Sequence, residues 1–579
     1  MAERGSMDTR PGHEDDGSDQ PWLAYAEANG MMHTFETIGG RSESPSSMLG
    51  ISQTPTDSNS MASSSRGGGS LSRRSAFLST IDPSVRRRVE AAQVYFLEYY
   101  VDQLTYIANR RQRLERFKSA MRSVQTPPHS VQRSWSNHQT NETNTLRRRR
   151  TRTREQEFDI LAQIGQGGFG QVFLARKRDT GEVCALKKMD KQLLVRLNEV
   201  QHILTERDIL RTSKSEWLVR LLYSFQDARH LYLAMEFVPG GDIRSLLIQN
   251  DLFRHSVAQF YIAEMITAVA ALHSFGYFHR DLKPENFLVD ATGHVKLTDF
   301  GLSHGHLSRG TLDVMRKTLD RVKDQDVIHR SSSERRSLSK QMAASRLDHR
   351  TARAFSIVGS PDYMAPEILY TSLAADRHHS GQRRPATSDR SSRCSSGGAS
   401  NDPLADAHLG YDFRVDYWSL GCILYEFYAS YSPFTGPTAD DVWRNVYHWE
   451  EVLHRPDFAS KEADDNLTPE AWDLITALVS HRDIRLCSLQ EAARHSYFRG
   501  MNMFDLRSNP NTPFTPALKS DADNTHFDDF SDPASMAVYK DVNNKWRDLD
   551  NLSAMSTPDV DPASFIGFTY KHNRQHRFI

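Results

Sequence analysis

The sequence predicts an α+β protein set between long polar segments. Three observations lead there. The glycine-rich string IGQGGFGQV at 164–172 opens a strand-like hairpin rather than a helix. LNEVQHILTERDIL then carries a helical pattern, and the chain from Phe158 to about Phe498 reads as globular. The remainder is polar: hydrophobic residues make up only 38 % of 579, below the roughly 45–50 % of ordinary globular chains even after allowing for glycine.

Composition also excludes several classes. The 72 Lys+Arg balance 73 Asp+Glu, which disfavours a nucleic-acid protein held by bulk basicity. Cys184, Cys394, Cys422 and Cys487 have neither zinc nor CxxC spacing and form no disulfide framework, so a reducing compartment fits. No apolar run reaches the ~18 residues of a membrane span. MAERGSMDTRPGHEDD lacks the apolar core of a secretory signal, and Ala2 excludes N-myristoylation.

The elements follow in order. Residues 1–80 are rich in Ser, Gly, Asp and Met and are expected to be disordered. From Asp82, a plausible N-cap, to about residue 120 the chain lacks Gly, and its one Pro, Pro83, falls at the first helical position. Val89, Ala92, Phe96, Tyr99, Tyr100, Gln103 and Ile107 recur at three- and four-residue steps, the pattern of an amphipathic helix. Residues 121–157 are expected to be a basic linker ending in LRRRRTRTR. The globular region, 158–498, has polar inserts at about 303–350 and 371–410. The tail, 499–579, is polar with scattered Phe and Trp.

The chemistry begins with Gly165, Gly167 and Gly170. Their G-x-G-x-x-G spacing is weak alone, because dinucleotide-binding folds use it too. Lys187 decides between the two readings. It lies seventeen residues after Gly170, beyond the hairpin VFLARKRDTGEVCAL with its turn at Thr180–Gly181, where a dinucleotide loop would run into a helix. Backbone N–H groups above and one fixed cation below suit nucleotide phosphates. Glu206, on the helical segment, can anchor that cation. In HRDLKPENFLVD, Asp281 can accept a hydroxyl proton, Lys283 can neutralise a phosphoryl group, and Asn286 offers a hard oxygen. TDFG adds Asp299 as a second oxygen ligand. Mg²⁺ favours few protein oxygens with the rest from water and phosphate.

These motifs, in this order, resemble the eukaryotic protein kinase family over roughly residues 158–498. Ala365, Pro366 and Glu367 stand as its APE triplet, and DYWSLG carries Asp416, Trp418 and Gly421. Arg485 matches the arginine that pairs with Glu367. The resemblance implies a bilobal fold, with a small mainly β N-lobe and a larger mainly α C-lobe. It implies ATP with Mg²⁺ in the cleft. Ile164, Gly165, Gly167, Gly170 and Val172 would cover the nucleotide, Glu236–Val238 would form the hinge behind gatekeeper Met235, and Asp242 would contact ribose. Lys187 would hold phosphates and Glu206 orient it. Asp281 would be the catalytic base, Lys283 would stabilise charge, and Asn286 and Asp299 would bind metal. KPEN, with Lys283, looks like a Ser/Thr kinase.

FSIVGSPDYMAPE and FIGFTY resemble the AGC group. Ser356 and Thr569 would then be phosphosites, Ser360 would lie in the substrate-proximal loop, and Phe565 and Phe568 would dock beside the Glu206 helix. Arg353, three before Ser356, permits autophosphorylation there, whereas an upstream germinal-centre (Hippo-like) kinase is implied for Thr569. The long, basic activation segment has twelve Lys/Arg against six Asp/Glu between Leu302 and Phe355. That insert either covers acidic substrate-binding groups or is a solvated loop. With the N-terminal helix, it resembles the NDR/LATS branch, most nearly the fungal mitotic-exit and septation-initiation kinases. A Mob coactivator is thereby implied on that helix, which has an aromatic face (Tyr95, Phe96, Tyr99, Tyr100) and basic turns (Arg110, Arg111, Arg113, Arg116).

Asp242 and Glu285 look like receptors for basic substrate side chains, implying Arg three residues before the acceptor. The implied role is mitotic exit, septation and cytokinesis, in the cytoplasm, at the spindle pole body and division septum, or in the nucleus. Two alternatives stay open: a polarity-controlling NDR kinase, and a kinase-fold scaffold. Ser/Thr-Pro pairs at Ser44, Thr54, Thr126, Thr512, Thr515 and Thr557 are candidates for proline-directed phosphorylation, although such pairs are common in disordered chain.

Overall fold

A computed structural model describes residues 83–123, 128–167, 170–197, 199–303, 317–341, 361–368, 412–530 and 562–571. Ser356, Ser360 and the segments 1–80 and 371–410 lie outside them.

Helix α1 (Pro83–Ser123) starts at the expected proline. The segment expected to be a linker differs: Pro128–Arg150 forms a second helix, α2, folded back on α1. Its polar sequence, SNHQTNETNT, has weak helix propensity, so the helix depends on contacts that a local pattern does not reveal. Arg113 grips Glu142 through Nε (2.6 Å) and Nη2 (3.0 Å). Arg149 pairs with Asp102. Tyr106 is buried, with the guanidinium groups of Arg113 and Arg149 at 5.8 and 4.6 Å from its ring. Phe117 stacks on His138 and meets Trp135 at a tilt, 5.6 Å between ring centres. Phe96, Leu97, Tyr100, Val101 and Leu104 of α1 remain more than half exposed.

The smaller lobe is a six-stranded sheet in the order β1-β2-β3-β5-β4-β8. It comprises β1 (Phe158–Gln166), β2 (Gly170–Lys177), β3 (Val183–Asp190), β4 (Leu221–Gln226), β5 (His230–Glu236) and the two-residue β8 (Tyr570–Lys571), all paired antiparallel. Period-two burial sends Phe158, Phe225 and Tyr232 to one face, where their rings stack at 5.5 and 4.6 Å. Gly170 must be glycine, because a Cβ there would lie 2.2 Å from the Lys188 carbonyl oxygen. Helix α3 (Val200–Thr212) packs on this sheet.

The larger lobe is built on α5 (His255–Ser274) and α6 (Arg414–Ala429), with α4 (Ile243–Asn250), α7 (Ala439–Tyr447) and α8 (Pro469–Leu478) around them. α5 is long and apolar enough to cross a membrane, but it is mostly buried in the core of this lobe. Hairpin β6 (Phe287–Val289)–β7 (Val295–Leu297) is antiparallel and connects Asn286 to Asp299.

The first insert is not simply a solvated loop. Residues 317–322 and 332–341 are helical, and Leu319 and Val322 are buried in the C-lobe core. Among the described residues of the insert, four cations are engaged away from Asp242 and Glu285. Arg321 pairs with Asp440, Arg335 donates to the Pro433 carbonyl, Arg336 to that of Ala429, and Lys340 pairs with Asp251 at 3.2 Å. Within 317–341, Leu319 and Val322 anchor the segment in the core and these polar contacts hold its rim.

Candidate active site

The cleft is assembled from both lobes. β3 carries Lys187, which lies opposite Val172 of the glycine-rich hairpin. α3 carries Glu206, only 2 % exposed. The Lys187 ammonium sits 2.8 and 2.9 Å from the two Glu206 oxygens and 3.9 Å from Asp299. Burial disfavours its charge, but Glu206 and Asp299 outweigh that and raise its pKa. Burial in turn pushes the Glu206 carboxyl up against the pull of Lys187. A cation so held is fixed in charge and place, as phosphate binding needs. Ile164, on β1 of the hairpin, is buried.

The catalytic loop is held from below by a residue to which the sequence reading gave no role. Asp416, fully buried on α6, accepts the backbone N–H groups of His279 and Arg280, both at 2.7 Å, and pairs with His273 at 2.8 Å. Arg280 takes φ +70, a strained conformation that this clamp sustains. Beyond it, Lys283 donates to Asp281 at 2.7 Å, and the Asn286 amide donates to the Asp281 carbonyl at 2.8 Å. Burial opposes the charge on Lys283, yet Asp281, Asp299 and Glu285 raise its pKa. Asp299, at φ +65, is half exposed; burial works against its ionisation, but Lys187 and Lys283 hold it below the ordinary range. One ionised carboxylate and one amide oxygen fit a hard divalent cation that completes its shell from water and phosphate.

Because Asp416 is pulled below its ordinary pKa mainly against burial, by His273 and His279, its carboxylate stabilises the fold above about pH 4, and that contribution is lost as pH falls through the folded pKa. Asp416→Asn is expected to lower the melting temperature at neutral pH, with the gap to the parent narrowing below about pH 4. Parallel melts from pH 7 to 3 check this. A constant gap would contradict it.

The hinge joins the lobes. Met235 and Val238 are buried, and Glu236 accepts Lys296 Nζ at 2.9 Å. Gly240 N–H donates to the Val289 carbonyl, and Val289 N–H to that of Gly241. Asp242 caps α4 by accepting the Ser245 N–H at 2.7 Å. Glu285 meets Arg244 at 3.2 Å, and Arg244 in turn binds Glu426 and Tyr363. Both proposed substrate carboxylates thus also serve the fold. Phe527 of the tail, unmarked by the sequence reading, lies 5.5 Å from hinge Phe237. Phe565 and Phe568 are buried beside α3, where Arg207 donates to the Gly567 carbonyl and Ser224 to that of Phe568 at 2.6 Å. Thr569 is exposed.

The protein kinase domain model matches residues 158–320 and 399–498. "Cell cycle protein kinase DBF2" of Saccharomyces cerevisiae is 42 % identical over 494 residues, covering 84 % of this chain and 78 % of that protein. The chain belongs to the protein kinase family. "Serine/threonine-protein kinase sid2" of Schizosaccharomyces pombe is 39 % identical over 85 % of this chain and 74 % of its own length. "Serine/threonine-protein kinase CBK1" of Candida albicans is 32 % identical, over 82 % and 61 %. Within the family the chain is a serine/threonine-protein kinase of the NDR/LATS group. A protein kinase domain uses ATP and a divalent metal.

Proposed function

We propose that this kinase moves the γ-phosphoryl group of ATP, with Mg²⁺, to Ser or Thr in basic sites, and that it acts in mitotic exit, septation and cytokinesis under a Mob coactivator. The bidentate Lys187–Glu206 pair carries the catalytic reading, because it sets a fixed cation beside Asp299. Lys187 orients the α- and β-phosphates. Asp281 accepts the proton of the attacking hydroxyl, and Lys283 offsets charge on the transferred group. Asn286 and Asp299 would hold the metal, which supplies charge neutralisation.

The cell-cycle assignment rests on higher identity to the DBF2 and sid2 kinases than to CBK1. The exposed apolar stripe of α1 supports a partner surface. Tyr99 and Arg111 are exposed on it; Arg110 is 3.9 Å from Glu142. Arg113 is committed to Glu142, so it holds the hairpin and is withdrawn from the set of receptor arginines. Phosphorylation of Ser356 and of Thr569, the latter by a germinal-centre kinase, completes activation. Cytoplasm, spindle pole body, septum and nucleus are the compartments to examine.

One experiment tests the proposal. The purified kinase, with and without Mob, is assayed on a peptide array. Mob is expected to stimulate transfer to peptides with Arg three before the acceptor, and Arg110→Glu with Arg111→Glu to abolish the stimulation while leaving basal transfer. Indifference to Arg at that position would refute the basophilic reading. Undiminished stimulation of the double variant would refute the coactivator surface.

A further inference from the structure

The tail segment between the C-lobe and the hinge holds two Thr-Pro pairs, Thr512-Pro513 and Thr515-Pro516. The Thr512 hydroxyl donates to the Thr292 carbonyl at 2.9 Å, in the turn between β6 and β7. Its proton is then committed, so Thr515, whose hydroxyl oxygen is 2.9 Å away, donates to Thr512. The tail lies flat on this turn. Gly293 there has φ +91, and a Cβ on it would come within 2.2 Å of the Phe514 carbonyl oxygen and 2.3 Å of Thr512 Oγ1.

The turn carries one carboxylate, Asp290, whose charge Arg507 offsets. Asp290 accepts Thr292 and His294 N–H groups, and Arg507 is taken up by Asp290 at 2.8 Å and by the Val295 carbonyl at 2.7 Å. From this clasp the tail runs to the hinge. Pro516 is buried against Gly240, Asp521 pairs with Arg176 of β2 at 2.9 Å, His526 covers Gly241, and Phe527 reaches Phe237. Phe514 meets His526 ring to ring at 5.8 Å, so the two ends of the segment touch.

We propose that Thr512 and Thr515 are phosphorylation sites of a proline-directed kinase, and that modification opens this clasp and weakens nucleotide binding at the hinge. In each step the γ-phosphoryl group of ATP passes to the threonine oxygen. The bond to ADP breaks, an O–P ester bond forms, and the hydroxyl proton goes to the modifying kinase's base. The ester oxygen has no proton to donate, so the Thr292 carbonyl then faces only lone pairs. A phosphate, with about −1.5 to −2 of charge, also adds bulk where Thr512 Oγ1 is pressed so close to the turn that a Cβ on Gly293 would come within 2.3 Å of it. Half-buried Thr512 and buried Pro516 admit the modifying enzyme only when the tail lifts. Phosphate therefore traps the lifted state, by the same linkage through which any ligand of one state shifts an equilibrium. This inference rests on the kinase fold and not on the Mob reading.

The test uses the full chain, a cyclin-dependent kinase as the proline-directed enzyme, and ATP. After its removal, phosphates are mapped by mass spectrometry, amide exchange is followed, and the KM for ATP is measured. Both threonines are expected to be modified. Exchange should quicken about tenfold or more at 509–518 and around Phe527. The KM for ATP should rise about threefold or more with kcat little changed. The Thr512→Val, Thr515→Val protein, similar in shape, should keep its KM through the same treatment. Phosphates without change in exchange or KM would overturn the proposal. So would a folded chain that stays unmodified, whether or not a 505–520 peptide is modified.

Discussion

Lys187→Met is expected to cut phosphoryl transfer by roughly a thousandfold, the scale on which a preorganised charge-stabilising group acts. Methionine keeps the stem's bulk and removes the ammonium that lies 2.8 Å from Glu206 and 3.9 Å from Asp299. The same change leaves Glu206 buried without its cation, and breaking a buried pair costs about 3–5 kcal/mol. Lost activity could therefore reflect lost fold. A second variant separates the two effects: Lys187→Met with Glu206→Leu replaces both charges by apolar groups, which is often neutral for stability. We expect the double variant to recover most of the melting temperature and none of the activity. Recovery of transfer in the double variant would show that neither charge serves the reaction.

The largest purely structural effect is expected at Arg485→Ala. Its guanidinium is buried and makes a bidentate pair with Glu367 at 2.5 and 3.2 Å. It also donates to the Ser480 and Arg414 carbonyls and lies 5.0 Å over the Trp418 ring. Truncation strands Glu367 in the core, and a loss of about 3–5 kcal/mol is expected in denaturant unfolding. Glu367 directly follows the strip Pro361–Pro366, so the pair also pins that strip of chain to the C-lobe. Arg485→Lys should rescue little, because an ammonium cannot reproduce the planar fork. Full stability of the lysine variant would show that charge alone suffices.

Candidate site residues whose proposed roles follow from local spacing were legible in the sequence. Gly165, Gly167, Gly170, Lys187, Glu206, Asp281, Lys283, Asn286 and Asp299 each belong to a string whose chemistry is stated by its neighbours. Their order along the chain implied the bilobal fold, and the observed sheet and helices agree with it. The APE glutamate and its arginine were also paired correctly across 118 positions, through family resemblance rather than any local signal.

Other features were decided only when distant segments met. α2 exists because Glu142 and Arg149 find Arg113 and Asp102 on α1, which no window of weak helix formers announces. Asp416 gains its hold on His279 and Arg280 from 137 and 136 residues away. Residues 317–341 of the basic insert are anchored by Leu319 and Val322, whose burial its charge-rich composition did not announce. The threonines at 512 and 515 become a clasp only because Gly293 lets the tail press onto a turn more than two hundred residues earlier. The sequence by itself determined which groups are candidates for the chemistry, since functional-group identity and short spacing are local properties. Tertiary structure decided which groups hold them in place, since an ion pair, a capped turn or a buried side chain depends on distances that the chain fixes only by folding.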